Sequence, residues 1–207
     1  MRENAETGAP SDAYRVPARE GNGKLTEKMS RFIGFCAKVA DADEAKEYIK
    51  GKQRDFRDAR HVCWAYVIDP AGEEWQANDN GEPSGTAGRP ILSQIRSAGL
   101  SHALVVVVRY FGGIKLGTPG LTAAYKESAR IAIEDAGFVE RHRLAELELS
   151  FNYPESGKVM SLIKGMELEV RGKEFADSCH VTVGVRDSMK KGVVKTLSEY
   201  CRVTEKG

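Results

Sequence analysis

The stretch VVVVRYFGGIKLGTPGL, Val105 to Leu121, decides how the chain is read. Four consecutive valines follow Ala103 and Leu104, and a continuous β-branched run of that kind predicts a strand buried on both faces. Gly112, Gly113 and Gly117 then interrupt the pattern. Thr118 reads as the N-cap and Pro119 as the first residue of a helix, which carries Leu121, Ala124, Tyr125, Ser128, Ile131 and Ala132 at helical spacing and ends near Gly137. A glycine loop between a strand and a helix N-terminus presents bare backbone N–H groups to an anion. It is equally a plain tight turn. Gly112 and Gly117 have the spacing of a Walker loop, but Thr118 stands where that motif needs lysine, and no G-x-G-x-x-G occurs.

Working outward, RFIGFCAKV (31–39) alternates as a strand and DADEAKEYIKGKQRDF (41–56) as a helix, with Asp41 as N-cap and Glu44 as its capping-box partner. HVCWAYVID (61–69) is the next strand. A long polar loop, 70–88, leads to a helix expected to begin at Pro90. Downstream of His142, successive segments read strand, helix, strand, strand, helix, strand, the order of a ferredoxin-like split unit. These readings give three parts: residues 1–24 as a disordered or extended tail, 25–140 as an N-terminal domain and 141–207 as a ferredoxin-like C-terminal domain. The fold class is α+β.

The 207 residues carry 31 basic and 30 acidic side chains, so a strongly basic nucleic-acid domain is excluded and any polyanion contact must come from a local patch. The longest apolar run, 103–108, is too short to cross a bilayer, and the N-terminus lacks the basic-then-apolar order of a signal peptide. A cytosolic protein without a membrane partner is expected. Cys36, Cys63, Cys179 and Cys201 form no C-x-x-C pair and read as small buried hydrophobes.

Two clusters carry chemistry. In the glycine loop, Arg109 and Lys115 are placed to reach an anion, with Gly112, Gly113, Gly117 and Thr118 supplying the nest and Tyr110 or Phe111 a surface for stacking on a base. In NDNGEPSGTAGRP (78–90), Ser84 and Thr86 are anion-binding or turn-capping hydroxyls, and Asp79 and Glu82 are hard-oxygen groups whose spacing is not that of an EF-hand. No metal site and no cofactor is expected. His61 is a candidate general base beside Cys63 or the acidic loop, with Asp79 or Glu82 as its acid, and a structural histidine is the competing reading.

Taken together, DNGEPSGTAGRPIL and VVVVRYFGGIKLGTPGL, with SRFIGF and HVCWAY upstream, resemble the IMPACT/YigZ family. The resemblance implies a ribosomal-protein-like α/β two-layer domain similar to domain IV of elongation factor G, followed by a ferredoxin-like domain similar to its domain V. It places the family's signature at His61, Asp79, Gly81 to Gly88, Arg109 to Gly113, Lys115 to Gly117, Gly120 and Leu121. Asn80 stands where the family has a second aspartate, and Pro119 where it has glycine. The RWD domain of eukaryotic members, with its regulator contact, is not expected in this chain. The implied function is regulation of translation or of a stress response by binding RNA or the ribosome. An enzyme acting on a small phosphorylated ligand or a peptide, and a protein-interaction scaffold, are the alternatives.

Overall fold

The computed structural model describes residues 12–176 and 178–206. The chain divides into two compact units, Tyr14–Arg141 and a second unit built from 142–206 with Asp12 and Ala13.

In the first unit a five-stranded antiparallel sheet has the order β2-β3-β6-β4-β5. Its strands are β2 (Gly21–Glu27), β3 (Ser30–Lys38), β4 (His61–Val67), β5 (Trp75–Asn78) and β6 (Ala103–Tyr110). The valine run occupies the centre, and every residue of β6 except Tyr110 is buried, as its β-branched composition predicts. Alternation along β6 sorts the two faces. Val105 and Val107 pack with α2 (Gly88–Ser97) and α3 (Gly117–Ala136), whereas Leu104, Val106, Val108 and Tyr110 pack with α1 (Ala42–Asp55). Arg109 therefore belongs to the α2/α3 face.

The α1 cap is the expected one: Asp41 Oδ1 accepts from the Asp43 and Glu44 N–H groups, and Glu44 reaches back to the Ala40 N–H. The other two helix starts differ from expectation. The α3 helix begins at Gly117 with Leu116 at its N-cap, so Thr118 lies in the first turn and does not cap. The α2 helix begins at Gly88, two residues before Pro90, because its first N–H groups are satisfied by Asp79 from across the loop.

Residues 13–17 and 21–24, expected to belong to a tail, form strands. Short β1 (Ala13–Pro17) pairs with β7 (Phe138–His142), and β2 is an edge of the large sheet. The glycines that make β2 look unstructured let α3 approach: a Cβ at Gly21 would fall 2.3 Å from the Ala136 backbone nitrogen, and one at Gly23 2.4 Å from the Ile131 side chain. Residues 1–11 of the expected tail lie outside the described residues.

The second unit has β8 (Leu144–Phe151), α4 (Tyr153–Gly165), β9 (Glu169–Phe175), β10 (Cys179–Arg186), a 3-10 turn, α5 (Lys190–Leu197) and β11 (Arg202–Lys206). Its antiparallel sheet runs β11-β8-β10-β9 over a core of Leu147, Leu149, Val181 and Val183 with Val159, Ile163, Val193 and Leu197 from the helices. Two helices cover one sheet face in this mixed α/β unit.

Candidate nucleic-acid interface

The site grows from three adjacent strands. Phe32, Arg109 and His61 are cross-strand neighbours on β3, β6 and β4, so pleating sends all three side chains to the α2/α3 face. Above them stand the acidic loop and the start of α3.

Arg109 is only 5% exposed, and its Nη1 donates to Glu82 Oε1 at 2.6 Å. The Tyr125 hydroxyl, from the buried face of α3, donates to the same oxygen at 2.8 Å. Two donors and a guanidinium charge let the buried Glu82 carboxylate stay in place. Tyr125 packs edge-on against Phe32, with ring centroids 5.2 Å apart. Cys63 Sγ lies 2.9 Å from the Asp79 carbonyl and 3.3 Å from the Tyr125 hydroxyl. Burial pushes the Cys63 thiol up to about 12. A thiol kept protonated by burial is a poor nucleophile.

Asp79 is a structural brace. Its Oδ2 accepts from the Gly85 N–H, and its Oδ1 from the Ala87 and Gly88 N–H groups at 2.9 and 2.8 Å. Burial alone raises its pKa, but those backbone donors and the Arg89 charge outweigh it and hold the carboxyl below its ordinary value. Thr86 is buried with its Oγ1 donating to the Pro83 carbonyl, so its hydroxyl belongs to the turn, and exposed Ser84 lies outside the cleft lining. No group of three His, Cys, Asp or Glu among the described residues is placed to hold a metal ion.

His61 is oriented by Asn80. The imidazole Nδ1 lies 2.9 Å from the Asn80 carbonyl, which only accepts, so Nδ1 carries a proton. The ring Nε2 sits 4.0 Å from Glu82 Oε1. Asn80 also accepts from the Val62 N–H through Oδ1, tying the loop to β4.

His61, Glu82 and Arg109 line a cleft of about 450 Å3 together with Arg60, Gly81, Pro83, Phe111, Lys115, Leu116, Gly117, Thr118 and Leu121. Arg60 and Lys115 are exposed, with no ion-pair partner among the described residues. Phe111 is 49% exposed and the neighbouring Ile114 48%. The structure thus brings Arg109, Phe111, Lys115, Gly117, Thr118, His61 and Glu82 together. It separates Tyr110, which points to the other sheet face, where its hydroxyl donates to Asp58 at 2.8 Å and Arg31 covers its ring. Gly112 is required by packing, since a Cβ there would fall 2.0 Å from the Met29 carbonyl carbon. Gly113 and Gly117 hold positive φ, 88° and 73°. Sequence reasoning missed Arg60 and Tyr125; the first is visible only as a charge beside His61, the second as the one hydroxyl-bearing aromatic on the buried stripe of α3.

A family model described as the Impact N-terminal domain matches residues 28–133. IMPACT family member YvyE of Bacillus subtilis (strain 168) is 31% identical over 187 residues, covering 90% of this chain and 86% of that protein. The chain belongs to the IMPACT family. Another IMPACT family member, YigZ of Escherichia coli (strain K12), is 36% identical over 154 residues, covering 73% of this chain and 76% of that one. A crystal structure of a hypothetical protein, 26% identical, superposes with a TM-score of 0.70 over 94% of this chain and 98% of its own. The cleft lies wholly within the residues that the IMPACT N-terminal model matches. No helix among the described residues is long and apolar enough to cross a membrane.

Proposed function

We propose that this IMPACT family chain is a cytosolic regulator of translation or of a stress response that binds RNA or the ribosome through the glycine-loop cleft of its first unit. One observation carries the reading: two exposed cations, Arg60 and Lys115, and a half-exposed aromatic ring, Phe111, meet around one cleft at the N-terminus of α3. Cations and an aromatic ring beside N–H groups suit a phosphate and its base. Arg109 enters this reading as a wall of the cleft braced by Glu82, and the phosphate contacts fall to Arg60 and Lys115. Co-sedimentation with ribosomes and with free RNA across a salt series tests it. Binding that weakens with salt, and is lost in Arg60→Ala/Lys115→Ala of unchanged fold, is expected; undiminished binding by that variant would refute it.

A second reading rests on the His61 Nε2 and Glu82 Oε1 pair at 4.0 Å, a base and a carboxylate in one cleft. It makes the protein an enzyme on a small phosphorylated ligand. Turnover lost in His61→Ala with folding retained would favour it, and equal turnover by that variant would sink it.

A further inference from the structure

We propose that the open edge of β5, together with the outer face of α2, is a docking groove for an extended acidic peptide of a protein partner, which adds a strand to the large sheet. The groove shares no lining residue with the cleft, so the inference stands apart from the RNA-binding reading.

Strand β5 is the outermost of its sheet and pairs only with β4. It is short, yet its residues Trp75, Gln76, Ala77 and Asn78 include none of the charges, prolines or register shifts that ordinarily block further pairing at an edge. The ladder shows which main-chain groups are open. The Ile68 N–H donates to the Glu74 carbonyl at 2.9 Å, one step beyond the pair of Val67 and Trp75. Antiparallel pairs alternate between bonded and unbonded, so Trp75 and Ala77 turn their N–H and C=O groups away from β4. An incoming strand meets two donors and two acceptors there.

Helix α2 lies along this edge. A Cβ at Gly88 would fall 2.7 Å from the Asn78 nitrogen, and the Arg96 guanidinium stands over the Trp75 ring, 4.8 Å from its centroid. The helix therefore runs antiparallel to β5, rising about 12 Å from Gly88 to Arg96 while the strand covers about 10 Å from Asn78 to Trp75. Beside them is a groove of about 520 Å3 lined by Trp75, Arg89, Leu92, Ser93 and Arg96. Both arginines are exposed and in no ion pair among the described residues, and no acidic side chain lines the groove. Trp75 is 44% exposed.

Arg89 stands at one end of the groove, Arg96 at the other and Leu92 between them. Alternate residues of a strand share a face, so the matching peptide is acidic, apolar and acidic at every second position. Phosphates would also suit the arginines, but a nucleic acid backbone offers the β5 main chain no alternating donors and acceptors. A peptide satisfies both the charge and the edge.

The probe is a fluorescein-labelled peptide, Thr-Glu-Thr-Val-Thr-Glu-Thr, titrated by anisotropy against the full chain. Its counterpart with lysine for glutamate should bind roughly tenfold more weakly, the scale of two exposed ion pairs, as should the acidic peptide to Arg89→Ala/Arg96→Ala. Residues on the groove face pair with Trp75 and Ala77, so N-methylation of the peptide's valine should weaken binding roughly fivefold, the scale of one backbone hydrogen bond. Amide exchange at Trp75 and Ala77 should slow on binding. Equal affinity for acidic and basic peptides, no binding at millimolar acidic peptide, or unslowed exchange would each overturn the proposal. Displacement of the peptide by uridine tracts would assign the arginines to RNA, and dimerisation abolished by Ala77→Pro would assign the edge to a second copy of the chain. Either result overturns the peptide reading. The peptide comparisons use wild-type protein, so they stand even if a variant folds poorly.

Discussion

The two loops that wall the cleft use their charges in opposite ways. In the loop 79–88 both carboxylates are engaged inside the protein, Asp79 on three backbone N–H groups and Glu82 on Arg109 and Tyr125. In the loop 111–117 the one cation, Lys115, is exposed without an ion-pair partner among the described residues, and Phe111 and Ile114 are exposed beside it. The first loop builds the wall and the second is free to meet a ligand. Two short glycine-rich motifs thus divide into structure and contact according to whether a buried partner lies within reach.

If that division holds, substitutions in the wall act on stability and those in the contact loop act on binding. The largest effect is expected from Arg109→Ala, which strands a buried carboxylate and should cost about 3–5 kcal/mol in urea unfolding, whereas Arg109→Met with Glu82→Leu should recover much of it. A loss below about 1 kcal/mol for the single change would mean Glu82 is not held as described. Gly112→Ala should follow, at about 3 kcal/mol, the upper end for overpacking, because the obstructing atoms are the Met29 backbone. It sharpens the comparison by showing one point where the contact loop is itself structural.

Asp79→Ala should cost about 2 kcal/mol, the upper range for a lost helix cap. The pH dependence has a definite sign. The folded-state pKa of Asp79 is depressed, so its stabilisation is complete above the ordinary value of 3.8 and is lost as acid takes the pH down through the lower folded value. Asp79→Asn should flatten that acid limb of the stability profile; an unchanged limb would assign it to other carboxylates. The smallest stability change is expected from Arg60→Ala/Lys115→Ala, within about 0.5 kcal/mol of wild type by thermal unfolding. A larger shift would move these cations from the contact set into the wall.

Much of the fold was legible in the sequence because local and tertiary preferences agree there. The valine run, the Asp41 cap and the alternation of β3 all point to the structure they adopt. What was not legible depended on neighbours far along the chain. Gly21 and Gly23 read as tail because glycine has low strand propensity, yet α3 packs onto them and leaves no room for a side chain. The start of α2 was misplaced because its cap comes from Asp79, nine residues before Gly88, and not from an adjacent residue. For the site, residue types were legible and their pairing was not. Arg109 reads as an anion-binding cation until the fold shows Glu82 against it, and Tyr110 reads as a stacking ring until strand alternation turns it to the other face.

The most direct test of the central claim is the salt dependence of single-stranded RNA binding by wild type and by Arg60→Ala/Lys115→Ala. Two phosphate contacts predict that log affinity falls against log salt with a slope about 1.4 units steeper in the wild type than in the variant. Equal slopes would show that these cations touch no phosphate, and would contradict the assignment of the contact loop.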